Sequence, residues 1–494
     1  MDSNRLTKIA SAARWLLLII LAGHLQLRQA FAHYSLGDLP TLFGAPKCLA
    51  LQHAYLTEVA LILLLPAAVL VLRQRMSNLY DGSPGIGLFL ALAFILWGAG
   101  HAVVALVAGR DTYLIFRQTA LAGYAIFFIY AVIFFGDQAR HIRLAVLTVL
   151  IISLASAAID AVSVAVVNPN DPVQSAQHPV LAFFAATPYG QETLPIAILG
   201  LGFVVVCADN WFWRGLALLG LALAGWRQGV RFQSVVPISM AGALALYLLL
   251  GIALALRGQA RTLKRALALL VFFGLLAWGY HYRHNDAGEP REVKAWSWDI
   301  YKKLFDVYAH ATAPQDPKDY VFSTRAAVQV TDPEIYKLNA VSNACEDLSV
   351  RNNIWRFLVW RRMTLDWSSG RTFVGAGVGR PWFYGALYHT SFHYGEDRLG
   401  LDPHNSYLNL LYRYGVVGFL IFLALLWSVW HCVWKALRTR SSGGDLWLEC
   451  MVLYFFYTAV FVSFTVGLEG PSYSMPFWMA LGLIYAQARQ FLHV

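Results

Sequence analysis

The sequence predicts an all-α integral membrane protein, with about twelve transmembrane helices and one large, partly helical loop between the ninth and tenth. Three observations carry this. Of 494 residues, 58% are hydrophobic and 13% charged, and the charged share is about half that of an ordinary soluble domain. The apolar residues are gathered into runs, and roughly 20 helical residues suffice to cross a bilayer core. Between the runs, Lys and Arg concentrate in alternate connections, as they do where the cytoplasmic loops hold the positive charge.

In chain order the runs are Ala13–Gln29, Tyr55–Leu72, Ile86–Ala108, Thr119–Gly136, Ile142–Val167, Leu194–Ala208, Gly215–Trp226, Val235–Leu256, Ala266–Tyr280, Gly415–Trp434, Trp447–Val466 and Met475–Leu492. The sixth and seventh are short and closely joined. No small-residue cleavage site follows the first run, where the chain reads "GHLQLRQAFAHY", so it reads as a retained helix rather than a signal peptide. With the N-terminus inside, Arg5, Lys8, Arg14, Arg73, Arg75, Arg140, Arg143, Arg257, Arg261, Lys264, Arg265, Lys435, Arg438, Arg440 and Arg489 all become cytoplasmic, and so does the C-terminus. The net charge of +10 then serves topology and attraction to an anionic lipid bilayer, and nucleic-acid binding is excluded as its purpose. Of the five cysteines only Cys48 and Cys345 fall outside, as a disulfide or as two thiols, and no zinc spacing occurs.

Residues 1–280 thus hold the first nine spans, 281–414 an outer loop, and 415–494 the last three spans. The loop is dense in charge, proline and aromatics. Its opening, "REVKAWSWDIYKKLFDVYAHA", places Trp296, Ile300, Leu304 and Val307 on one helical face. A smaller outer loop, Asn168–Gln191, reads as a flexible cover. A long loop with its own secondary structure is more often functional than a spacer. Neither a phosphate-binding P-loop sequence nor a dinucleotide fingerprint is present, so nucleotide-driven work is unsupported.

At the end of that loop runs "LDPHNSYLNLLYRYGVVGF". Asp402 is a good helix N-cap and Pro403 suits the first helical position. The predicted helix runs to Tyr414 and stops at Gly415. His404 would then lie in the first turn, where free N–H groups and the helix dipole favour a neutral imidazole able to take a proton. The same helix end attracts phosphate. A capped interfacial helix whose His404 and Asn405 merely face water is the alternative.

Upstream lies "VRNNIWRFLVWRRMTLDWSSGRTFVGAGVGRPWF". An amphipathic helix around Ile354–Trp360 carries Arg351, Arg356, Arg361 and Arg362. Arginine can grip a diphosphate with two-pronged hydrogen bonds, while Arg361 and Arg362 read better as headgroup contacts. Gly375 and Gly377 lie in a "GAGVG" turn that allows close backbone approach to a ligand. Arg227 and Arg231 stand on the outer side, against the charge rule, and either an anionic ligand or a salt bridge explains them. Within the spans, Glu58 and Asp160 are costly in lipid and should face the protein interior.

Taken together, "HN" at 404–405, nine intervening residues and Gly415-Val-Val-Gly418 reproduce the H-[N/S/Q]-x9-G-x-x-[G/T/Y] signature, and the chain resembles the O-antigen ligases and related polysaccharide polymerases. The span layout, the large loop, "RNNIWR" followed by "GAGVG", and the outer arginine pair extend the resemblance. That family usually has Ser-Arg after the seventh span, whereas this chain has "GWRQGVRF", so Arg227 and Arg231 both remain candidates. Extra residues also separate "RNNIWR" from "GAGVG", and its spelling favours Arg351 over Arg356.

The resemblance implies a GT-C-like, metal-independent and cofactor-free glycosyltransferase of a bacterial inner membrane, with its catalytic loop in the periplasm. It would move a glycan from undecaprenyl diphosphate to the hydroxyl of another glycan, lipid A-core or other acceptor. His404 would be the base, and Arg351, Arg227, Arg231 and Arg356 candidates for the diphosphate. Asp402, Asn405, Gly375, Gly377, Gly415 and Gly418 would be supporting residues. A polysaccharide transporter or flippase, or a non-catalytic subunit of an export system, is the competing expectation.

Overall fold

The computed structural model describes residues 3–26, 56–79, 85–136, 138–167, 172–178, 193–228, 235–285, 405–439, 446–465, 468 and 471–492, and in the outer loop 302, 306, 309–310, 356, 360–361, 363–370 and 372–379. All regular structure among them is helical. The helices are α1 (Ser3–Gln26), α2 (Leu56–Leu79), α3 (Gly85–Val107), α4 (Thr112–Gly123), α5 (Ile126–Phe135), α6 (Ala139–Val166), α7 (Pro172–Gln177), α8 (Thr193–Cys207), α9 (Trp211–Gln228), α10 (Val235–Ala255), α11 (Ala260–Asn285), α12 (Ser406–Thr439), α13 (Leu446–Phe461) and α14 (Pro471–Leu492).

Each apolar run of the sequence falls mainly on one of these helices, except the fourth, which is divided between α4 and α5. At that division the N–H groups of Phe127 and Phe128 bond three residues back, to Tyr124 and Ala125, tightening the backbone into a turn. Among the described residues, four segments are long and apolar enough to cross a membrane: Gly85–Val107, Leu114–Phe135, Ile238–Ala255 and Ser406–Thr439. Large apolar side chains such as Ile62, Leu63, Phe89, Val104, Leu249 and Val271 are exposed along the helices. So much outward apolar surface suits lipid and would be a liability in water.

The chain divides into two compact units. The first comprises 1–97, 120–278 and 420–494. Here α5 packs on α14, α8 on α9, α10 on α13, and α6 against α1, α8 and α9. Small residues permit these approaches, as is usual between membrane helices. A Cβ on Gly482 would stand 2.7 Å from the Phe128 carbonyl oxygen. Phe94, Phe422 and Trp478 form an aromatic triad with ring centroids 5.8 to 6.0 Å apart.

Two buried carboxylates in this unit are partnered. Glu58 does face the interior, accepting a 2.8 Å hydrogen bond from the Tyr124 hydroxyl. The side chain of Asp160 lies outside the described residues. A second carboxylate, Glu449, is 1% exposed and accepts from the Tyr247 hydroxyl at 2.5 Å and the Arg265 guanidinium at 2.6 Å. Among the described residues Cys207, Cys432 and Cys450 are free thiols, while Cys48 and Cys345 fall outside them.

The second unit comprises 98–119 and 279–419. It therefore holds the outer loop and, in addition, the end of α3 and the start of α4. In the amphipathic segment expected near the loop's beginning, Lys302, Asp306, Ala309 and His310 are helical. Trp296, Ile300, Leu304 and Val307 are not among the described residues.

Candidate functional site: a glycine turn seated in a broken helix

Within the second unit, α12 begins at Ser406, and its N-cap is Asn405 rather than Asp402. The Asn405 Oδ1 accepts the Leu408 N–H at 3.0 Å, the bond a cap makes to the third helical residue. Asp402, Pro403 and His404, predicted from sequence at the start of this helix, lie outside the described residues. Asparagine and aspartate cap equally well by composition. The side chain that reaches the open N–H groups decides between them.

Nine residues into α12, Gly415 adopts φ 65° and ψ −171°, and the helix breaks and at once resumes. Both sequence expectations meet here: the short helix ends at Gly415, and the tenth apolar run, Gly415–Trp434, continues as helix from the break to Thr439. A break of this kind strands backbone carbonyls on one side and N–H groups on the other. The turn at 372–377 takes up both. The N–H groups of Ala376 and Gly377 donate to the carbonyls of Tyr412 and Arg413 at 2.8 and 2.9 Å. The carbonyls of Thr372 and Phe373 accept from Val416 and Val417 at 2.9 and 3.2 Å.

Only glycine permits the approach. A Cβ on Gly375 would lie 2.4 Å from the Arg413 oxygen, and one on Gly415 would lie 2.1 Å from the Phe373 oxygen. Both residues also have positive φ, which side chains disfavour. The glycines of "GAGVG", expected from sequence to admit a ligand, approach the backbone of α12.

The far side of the turn meets two guanidinium groups. Arg413 is 1% exposed; its Nη1 donates to the Gly377 carbonyl at 3.3 Å and its Nε to Asn409 Oδ1 at 3.0 Å. Arg110 Nη1 donates to the Val378 carbonyl at 2.7 Å and reaches the Ala376 carbonyl at 3.5 Å. The Gly379 N–H donates to Gln118 Oε1 at 2.7 Å, and the Tyr414 hydroxyl to the Gln118 carbonyl at 3.0 Å. The Tyr412 hydroxyl donates to Asp366 Oδ2 at 2.5 Å, and the His101 ring lies against Tyr414. The result is a hydrogen-bonded frame that holds one buried guanidinium, Arg413, and one half-buried, Arg110.

Of the residues singled out from sequence, the structure brings together Gly375, Gly377, Asn405 and Gly415, with Gly418 buried on the continuation of α12. Arg356 is helical and half-buried, and Arg361 is exposed. Arg227 lies in the last turn of α9, in the first unit, with its side chain outside the described residues. Arg231, Arg351, Arg362, Asp402 and His404 are outside them altogether. Arg110, Gln118, Asn409 and Arg413 were missed. The pair Asn409 and Arg413, four apart on one helical face, was the signal within reach. No group of three or more His, Cys, Asp or Glu able to hold a metal occurs among the described residues. No family model matches the sequence, and no curated protein matches it either.

Proposed function

We propose that the chain is a membrane glycosyltransferase of the O-antigen ligase or polysaccharide polymerase kind, in which all twelve apolar runs cross a bacterial inner membrane. It moves a glycan from undecaprenyl diphosphate to an acceptor hydroxyl on the periplasmic face. The observation that carries the reading is the meeting of its two glycine motifs. "GAGVG" and the Gly415 end of the histidine signature are 40 residues apart in sequence, counted from Gly375, yet two backbone hydrogen bonds from the motif and two more to Thr372 and Phe373 just before it join them. Such a frame would hold steady the half-helix that follows His404.

In this reading His404 takes the proton of the acceptor hydroxyl as its oxygen attacks the anomeric carbon. The bond from that carbon to the diphosphate breaks, undecaprenyl diphosphate leaves, and the anomeric centre inverts. Arg351 and Arg356 in the loop, with Arg227 or Arg231, are the candidates to hold the diphosphate as charge grows on its leaving oxygen. A sugar diphosphate is already activated, so the reaction needs no nucleotide outside the cytoplasm.

Loss of the protein followed by surface-glycan analysis tests the reading. Lipid-linked polymer accumulating without transfer means ligase, and accumulating single repeat units mean polymerase. Intermediates held on the cytoplasmic face contradict the reading and point to a transporter.

A further inference from the structure

We propose that Arg413 and Arg110 are positioning residues for the base at His404, an inference that rests on the role given to His404 above. The reasoning starts from the backbone of the turn. The carbonyls of Ala376, Gly377 and Val378, three in succession, are met by two guanidinium groups: Arg110 takes the first and third, and Arg413 the second. The amides of the same stretch are held from the other side by Tyr412, Arg413 and Gln118. The turn is fastened on both faces, so it can fix whatever is fastened to it.

What is fastened to it is the first half of α12. Arg413 receives the Gly377 N–H on its carbonyl and returns a hydrogen bond from its guanidinium to the Gly377 carbonyl. Its Nε reaches back one turn to Asn409. The Asn409 N–H donates to the Asn405 carbonyl at 3.0 Å, and the Asn405 side chain caps Leu408. A continuous path of hydrogen bonds thus runs from the glycine turn to the residue next to His404.

Arg110 is itself fixed. The N–H groups of Gly109 and Arg110 close α3 onto the carbonyls of Leu106 and Ala105, the paired bonds of a glycine-terminated helix. Immediately afterwards, Asp111 Oδ1 accepts the Leu114 N–H at 2.8 Å and caps α4. One helix end and one helix start hold the arginine between them.

Lysine at 413 keeps a charge but lacks the donor at Nε, so it cannot bond Asn409 and Gly377 together as arginine does. The conservative substitution therefore loosens the path without removing the cation. Misplacement of a base by a fraction of an ångström to an ångström lowers turnover by up to about a hundredfold, while donor binding is left alone.

The test uses full-length Arg413→Lys, Arg110→Lys, Arg361→Lys and His404→Ala proteins, purified in detergent and quantified as the folded, monodisperse fraction. The donor is the lipid-linked glycan extracted from cells that lack the protein, and the acceptor is the envelope fraction of the same cells. Arg413→Lys and Arg110→Lys are expected to lower kcat about tenfold or more with the donor KM unchanged, while Arg361→Lys matches the wild type. Wild-type kcat per folded molecule in both, or a raised KM at unchanged kcat, overturns the positioning role. Should Arg413→Lys fail to accumulate, Arg110→Lys on the connection between α3 and α4 decides by the same criteria. Wild-type transfer by His404→Ala overturns the role of His404 instead, whatever the arginines do, so the two failures are distinguishable.

Discussion

Gly377 and Arg413 hydrogen-bond each other twice: the glycine N–H donates to the arginine carbonyl at 2.9 Å, and the arginine guanidinium donates to the glycine carbonyl at 3.3 Å. The pair joins a loop turn to a helix at the point where the helix is interrupted. The break at Gly415 and the turn at 375–379 are thus one structural element made from two distant pieces of chain.

The glycines of this element should tolerate no side chain. In Gly415→Ala the new Cβ meets the Phe373 carbonyl at 2.1 Å with φ held at 65°. Left-handed strain and overpacking together should cost about 2–5 kcal/mol. Gly100→Ala, inside α3 with nothing within 4 Å of its Cβ, should instead gain about 0.5–1 kcal/mol. Thermal unfolding of the purified proteins in detergent compares them, and equal midpoints would mean that the element does not hold the fold.

A second prediction concerns the buried carboxylate of the first unit. Glu449→Gln leaves the Arg265 guanidinium facing a neutral amide, and breaking a buried pair costs about 3–5 kcal/mol. Tyr247→Phe removes one hydrogen bond to the same carboxylate, worth about 1.5–3 kcal/mol. Because both act on Glu449, the double variant should lose less than the sum. Strict additivity in thermal unfolding would show that the three groups are not one network.

Topology can be read by thiol labelling. In a background with the five native cysteines replaced, cysteines at Ser369 and Asn170 should react with a membrane-impermeant reagent added from the periplasm. One at Ser442 should not. The reverse pattern would put the glycine turn and the outer loop in the cytoplasm.

Lysine substitutions separate arginines that grip a diphosphate from those that meet headgroups. A charge-assisted two-pronged contact is worth roughly 1.5–3 kcal/mol, or about a ten- to hundredfold change in rate. Arg351→Lys should therefore be badly impaired and Arg362→Lys nearly silent. Of Arg227→Lys and Arg231→Lys, one should be far worse than the other. Equal tolerance at all four positions would remove the diphosphate clamp.

Much of the helical framework was legible because lipid imposes a one-dimensional rule: a spanning helix must be apolar along its length, and composition records that directly. Gly415 was legible as a helix end for a similar reason, since a left-handed position asks for glycine. That helix resumes after it was legible too, as the apolar run Gly415–Trp434, but the groups that satisfy the break, at 372–377, were not, because they come from another part of the chain. Arg110 was invisible for the same reason: its partners Ala376 and Val378 are more than 260 residues away. Glu449 escaped notice as one charge in an apolar run, its partners Tyr247 and Arg265 lying on two other helices. The choice of Asn405 over Asp402 as cap depends on side-chain direction at a loop-to-helix junction, which composition does not specify.

Glycan transfer by purified His404→Ala, measured against the wild type with extracted lipid-linked glycan and envelope acceptor, decides whether this chain works as proposed. The variant should insert, purify and unfold like the wild type while its transfer falls by at least about a hundredfold, as expected for loss of a general base. Transfer at the wild-type rate by a folded His404→Ala protein would contradict it.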